Sequence, residues 1–203
     1  MLNRSIKASL IGVSLVSVPA WGQIVNITHF PPAGSGCDAE NSELLASGTD
    51  LYWSLGLSLK LPPAGSGNRF CALNTGLELK RGYYPTEIWQ EIKFGAKKSR
   101  DGAILSLSSS HTLFGYSSEP VQFTYPSGMP FNELSKTIVW TTDLRFIPQS
   151  YWCNPDRNPK GLWTARIAIN GLVERPDAYL EFGPAGQKTT YRWKFSWARC
   201  PGS

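Results

Sequence analysis

The sequence predicts an all-β protein, an antiparallel β-sandwich of jelly-roll type held by disulfides. Three observations point there. Short runs of alternating apolar and polar residues recur at regular spacing between turn residues, about nine or ten in all, and no amphipathic helix interrupts them. The last run, Tyr191 to Cys200, places Tyr191, Trp193, Phe195 and Trp197 on one parity and Arg192, Lys194, Ser196 and Ala198 on the other. Successive side chains of a strand point to opposite faces, so this strand carries a row of four aromatics that requires a facing sheet to bury it. Four cysteines, Cys37, Cys71, Cys153 and Cys200, are an even number in a chain whose N-terminus reads as an export signal.

That N-terminus combines Arg4 and Lys7 with the small or apolar run Ala8 to Val18, and no acid precedes Cys37. Cleavage fits after Ala20 or after Gly22, so residues 1–22 are predicted to be a signal peptide and 23–203 a single β-sandwich domain. The apolar run is far shorter than the roughly 20 residues of a membrane span. Loss of Arg4 and Lys7 lowers the formal charge from +5 to +3. So small an excess gives no basic footprint for nucleic acid. No Cys-x-x-Cys spacing suggests zinc, and the sequence predicts neither metal nor cofactor.

In chain order, Ile24 to Phe30 reads as an edge strand and contains the sequon Asn26-Ile27-Thr28, an acceptor for glycosylation in a eukaryotic host. Pro31 to Gly36 is a turn that delivers Cys37. The loop acids Asp38, Glu40 and Glu43 lack the glycine of a calcium loop. Leu51 to Leu61 is the cleanest alternating strand, and Pro62 to Gly67 then repeats the earlier turn hexapeptide. Cys71 opens a strand in which it shares parity with Leu73, Leu77 and Leu79. From Thr86 to Ala96, Ile88, Gln90, Ile92 and Phe94 share one face and Glu87, Trp89, Glu91 and Lys93 the other. Asp101-Gly102 between two such runs predicts a hairpin, with Ala103 to Tyr116 as its return strand. Val121 to Tyr125, Thr137 to Ile147, Trp163 to Ile169 and Ala178 to Phe182 complete the set before the closing strand, with a polar loop from Gln149 to Gly161.

Four cysteines allow three pairings. Their setting, Gly34-Ser35-Gly36-Cys37, Arg69-Phe70-Cys71, Cys153 in a polar loop and Trp197-Ala198-Arg199-Cys200 at the end, resembles the exported family known as domain of unknown function 4360, found in bacteria and fungi. The resemblance implies secretion and two disulfides, and it carries over no catalytic residue. By their order, Cys37 is expected to pair with Cys71 and Cys153 with Cys200, each closing a modest loop without threading the other. On the chain-entropy model each bridge contributes about 4 kcal/mol.

Catalytic types are scarce. His29 and His111 are the only histidines, and the serines beside His111 lack the glycine pattern of a nucleophile elbow. Glu87 and Glu91 lie about 13 Å apart along a strand, too far for a glycosidase pair at roughly 5 to 9.5 Å. Two surface features remain. Trp89 between Glu87 and Glu91 suits stacking on a sugar whose hydroxyls meet the carboxylates, and Lys97, Lys98 and Arg100 with Arg192 and Lys194 suggest a cationic patch for an anionic envelope polymer. The leading expectation is a secreted, non-enzymatic binding protein with a surface glycan or another envelope polymer as partner. The alternative is a secreted polysaccharide hydrolase with carboxylates from different strands. Export itself is checked by N-terminal sequencing of the native protein, expected to begin at Trp21 or Gln23, and a native chain beginning at Met1 would contradict it.

Overall fold

The alternating runs pair into two facing antiparallel sheets in the computed structural model, which describes residues 15–16, 24–37, 43–47, 50–154, 156, 159–183 and 189–201. The strands are β1 (Leu15–Val16), β2 (Ile24–His29), β3 (Glu43–Ser47), β4 (Asp50–Leu55), β5 (Leu59–Leu61), β6 (Ser66–Leu79), β7 (Tyr83–Lys98), β8 (Ala103–Leu113), β9 (Tyr116–Ser117), β10 (Val121–Tyr125), β11 (Phe131–Asp143), β12 (Lys160–Val173), β13 (Leu180–Phe182) and β14 (Thr189–Arg199). One helical turn, α1 (Gln149–Trp152), interrupts the expected polar loop. The first sheet has the order β1-β2-β6-β12-β8-β10, with β9 on β8; the second has β3-β4-β14-β7-β13-β5, with β11 on β7. The loop acids Asp38 and Glu40 and the segment 184–188 lie outside the described residues.

Strand β7 organises the second sheet. Its partner β11 runs along one edge from Glu87 to Lys98. The other edge is shared, with β14 covering Tyr83 to Lys93 and β13 covering Ala96 to Lys98. β4 pairs β14 and β5 pairs β13, so the expected single strand from Leu51 to Leu61 becomes one row broken at residues 56–58. The alternation survives the break, because Leu57 is buried along with Leu51, Trp53, Leu59 and Leu61.

The aromatic row of β14 is buried as its parity predicts. Tyr191 stacks on Trp193 at 4.6 Å, Trp53 on Trp193 at 6.0 Å, and Trp163 of the opposite sheet meets Trp193 and Phe195 edge-on at 5.1 and 5.5 Å. Burial of each such side chain contributes roughly 1.5–3 kcal/mol. A register shift between Ser196 and Trp197 ends the pattern and leaves Trp197 half-buried. Both expected disulfides are present, Cys37–Cys71 and Cys153–Cys200, with Cα atoms 5.0 and 5.4 Å apart.

A polar bridge crosses the core beside the aromatics. Trp163 Nε1 donates to His111 Nδ1 at 3.2 Å, so the ring proton is on Nε2, which donates to Gln90 Oε1 at 2.6 Å. Gln90 Nε2 donates to Thr142 Oγ1 at 2.6 Å, and Ser109 Oγ donates to Gln90 Oε1 at 3.4 Å. His111, Ser109 and Trp163 belong to one sheet, Gln90 and Thr142 to the other.

The Asp101-Gly102 turn is real, but the expected hairpin is not. Gly102 has φ +69°, as such a turn requires, yet β7 and β8 lie in different sheets. Both edges of β7 are already taken, so the chain crosses to the other layer. Lys98 holds this corner. It is 2% exposed, and its Nζ donates to the carbonyls of Ser99, Ala103, Pro126 and Met129 at 2.6–3.1 Å. Burial lowers its pKa, and the Asp101 carboxylate acts against that.

Lys98→Met leaves those carbonyls without their charged donor, and we expect a loss of about 3 kcal/mol in urea unfolding with faster proteolysis at residues 126–130; unchanged stability would contradict the corner. Burial holds His111 neutral, with its pKa lowered from 6.5 to about 3. In the window between those values the unfolded chain binds the extra proton, so stability is full above pH 6.5 and falls on acidification, by roughly 4–5 kcal/mol at pH 3. His29, lowered by burial as well, acts in the same sense. Urea midpoints measured from pH 7 to 3 should show this decline, and His111→Gln should flatten it.

Candidate functional site

The polar parity of β7 faces solvent on the outside of the second sheet. Glu87 is exposed, while Trp89 and Glu91 are half-buried. Each has defined neighbours across the sheet. Glu87 lies opposite Asp143 on β11 and Ser196 on β14, Trp89 opposite Thr141 and Lys194, and Glu91 opposite Val139 and Arg192. The row continues through Tyr52 of β4, opposite Arg192, to Leu45 of β3.

Trp89 is therefore not a core residue, nor is it a bare platform. The Arg192 guanidinium lies 5.5 Å from the Trp89 ring centre and 5.1 Å from that of Tyr52, stacked between the two rings. Arg192 Nη2 also donates to Asp50 Oδ2 at 2.8 Å, and this bond raises the guanidinium pKa. Sequence reasoning missed Tyr52 and Asp50, because the register that aligns them with Arg192 is set by pairing between distant segments.

A cleft lies at each end of this row. One, of about 330 Å³, is bounded by Glu43, Leu45, Tyr52, Glu91 and Arg192. The other, of about 560 Å³, is lined by residues 84–87 and 143–145 and by Ile147, Pro148, Gln149 and Trp152. From Tyr84 to Glu91 the span is about 23 Å of strand.

The second cleft also brings two carboxylates together. Glu87 and Asp143 are direct cross-strand partners, which sets their Cβ atoms about 4.5–5.5 Å apart. Cross-strand pairing on one face lets the two carboxyl groups approach each other, as a retaining glycosidase pair, with its carboxyl groups roughly 5–5.5 Å apart, requires. Asp143, however, accepts bonds from the Arg145 backbone N–H and guanidinium and forms an ion pair with it. Those hydrogen bonds hold its carboxyl below the usual range, the opposite of what a proton donor requires. An Asp-x-Arg sequence was the signal for this contact.

The five cations expected as one patch do not form one. Lys98 is buried in its carbonyl cage, which its parity with Phe94 and Ala96 accounts for. Lys97 faces Glu181 and Asn132 at the far end of β7, beside exposed Arg100. Lys194 and Arg192 lie opposite Trp89 and Glu91, about 20 Å or more along the strand. The serine–histidine arrangement is absent too, since His111 is 2% exposed and engaged on both ring nitrogens. Among the described residues no three His, Cys, Asp or Glu side chains converge as a metal site requires. No helix among them is long and apolar enough to cross a membrane.

No family model matches the sequence, and no curated protein matches it. Several solved structures are similar in fold. A carbohydrate-binding module studied for specific mannan recognition is 12% identical, with 87% of this chain and 98% of that one covered and a TM-score of 0.36. A module solved with β-1,4-galactotriose is 11% identical, with 84% and 89% covered and a TM-score of 0.28. Empty particles of cowpea mosaic virus match at 11% identity, 83% and 86% coverage and a TM-score of 0.29. At such TM-scores these likenesses carry no argument about ligand.

Proposed function

We propose that the chain is an exported glycan-binding protein, whose cysteine framework resembles that of domain of unknown function 4360, and that it binds through the outer row of the second sheet. The observation that carries the reading is Trp89 itself. It stands on a solvent-side sheet face between Glu87 and Glu91 and between two clefts. A pyranose presents an apolar C–H face that suits an indole, and hydroxyls that suit flanking carboxylates and Arg192. The stack of Tyr52, Arg192 and Trp89 supports the reading, because side chains already ordered lose little freedom when a ligand arrives. Two disulfides fit an extracellular setting.

A second reading, hydrolysis, draws on the Glu87–Asp143 pair in the larger cleft. It requires Glu87 as proton donor, since Arg145 keeps Asp143 ionised. A glycan array followed by titration separates the two. We expect binding without turnover, a loss of at least about tenfold in affinity for Trp89→Ala, and a stability cost of about 1–2 kcal/mol for removing this half-buried ring. Binding intact in Trp89→Ala would dispose of the site. Turnover that survives Trp89→Ala but is abolished by Glu87→Gln would establish the hydrolase instead.

A further inference from the structure

The opposite face of the sandwich carries a different groove, of about 420 Å³, on the outside of the first sheet. Its floor is Gly76 in mid-strand. A Cβ there would lie 3.4 Å from Thr28 Cβ and 3.8 Å from Phe30 Cε2, so glycine leaves the floor open beside them. Phe30, 39% exposed, and Leu162, 48% exposed and directly across from Gly76, form the walls. At one end stand Glu78 and Lys160, cross-strand partners. Also opposite Glu78, at the mouth, is exposed Asn26.

Asn26 is the acceptor position of Asn26-Ile27-Thr28. The register of β2 against β6 shifts between Ile24 and Asn26, and such irregularities re-aim a side chain. Ile27 is buried at 3% exposure, so the sequon's alternate residues Asn26 and Thr28, and then Phe30, share the outward face.

We propose that Asn26 is N-glycosylated during export and that the first sugars of that glycan lie in this groove, over Gly76 and between Phe30 and Leu162. The donor is an oligosaccharide linked through pyrophosphate to a lipid carrier, supplied by a eukaryotic secretory membrane. A bond forms between Asn26 Nδ2 and the anomeric carbon of the reducing-end N-acetylhexosamine, and the bond from that carbon to the carrier pyrophosphate breaks. The pyrophosphate leaves with the electron pair, and the proton lost from Nδ2 passes to it or to water. The apolar faces of the sugars cover two exposed hydrophobic side chains, and their polar edges meet Thr28, Glu78 and Lys160. This inference rests on export through a eukaryotic secretory membrane and is independent of glycan binding at Trp89.

The test is the full-length chain made in a eukaryotic secretory host, with intact mass measured before and after peptide-N-glycosidase digestion. We expect one oligosaccharide on the wild type, none on Asn26→Gln or Thr28→Ala, and retention in Thr28→Ser. Asn26 found unmodified, whether the chain is recovered from medium or from cells, overturns the site; an exported but unmodified chain leaves the reading at Trp89 standing. The groove is tested by melting. Digestion, which leaves an aspartate in place of Asn26 opposite Glu78, should lower the wild-type melting temperature by a few degrees more than that of Phe30→Ala, whereas equal shifts in the two proteins would overturn the cradle.

Discussion

The contact between Trp163 and the closing strand, with the His111–Gln90 bridge beside it, fixes how the two sheets meet. Aromatic contact alone tolerates sliding, because dispersion is non-directional. The bridge does not. Trp163 Nε1 can reach His111 Nδ1, and His111 Nε2 can reach Gln90 Oε1, only when β12, β8 and β7 stand in one register. A slip of one residue would turn Gln90 to solvent and Trp89 into the core, since strand side chains alternate. The bridge contributes specificity more than net stability, because each hydrogen bond replaces one to water. By contrast, the indole N–H groups of Trp53 and Trp193 have no acceptor among the described residues.

The surface depends on this core through a single strand. Gln90 is flanked in sequence by Trp89 and Glu91, so the residue that locks the sheets also sets the outward row. β7 is paired on both edges over most of its length. A side chain on such a strand is held by neighbours on both sides, and Trp89 has Thr141 and Lys194 there. That suits recognition, where residues on rigid elements are placed more closely than residues on loops.

Much of the fold was legible because parity is a local property. The burial of Leu51, Trp53, Tyr191, Trp193 and Phe195 could be read from alternation alone, and so could the inward side of Gln90. Pairing was less legible. The Asp101-Gly102 turn announced a reversal, but whether β8 joins β7 or crosses to the other layer depends on whether the edges of β7 are free, and β11, β13 and β14 come later in the chain. Lys98 was misplaced for a different reason. Its parity matched the core face, but a charged residue beside a turn was assigned to solvent by type, although backbone carbonyls can compensate a buried ammonium. In the site, Trp89 and its carboxylates share one strand and were visible in sequence, whereas Asp143, Tyr52 and Asp50 reach it through pairing from strands roughly 40 to 55 residues away.

The two outer faces divide along chemical lines. Around Trp89 lie both signs of charge with rings, a surface able to hold a polar ligand by directed contacts. Across β8 the outward side chains are Ser106, Ser108, Ser110 and Thr112, with Ser106 bonded to Thr124 and Thr112 to Ser117. Toward β2 the same face opens into the groove over Gly76. A sandwich separates these faces by its full thickness, about 10 Å between the sheets alone. A sugar chain on Asn26 would therefore occupy one side of the molecule and leave the Trp89 row on the other side clear. Under the two proposals, attached sugar and bound sugar would not compete, because the alternation that buries the core also directs Asn26 and Trp89 outward from opposite sheets.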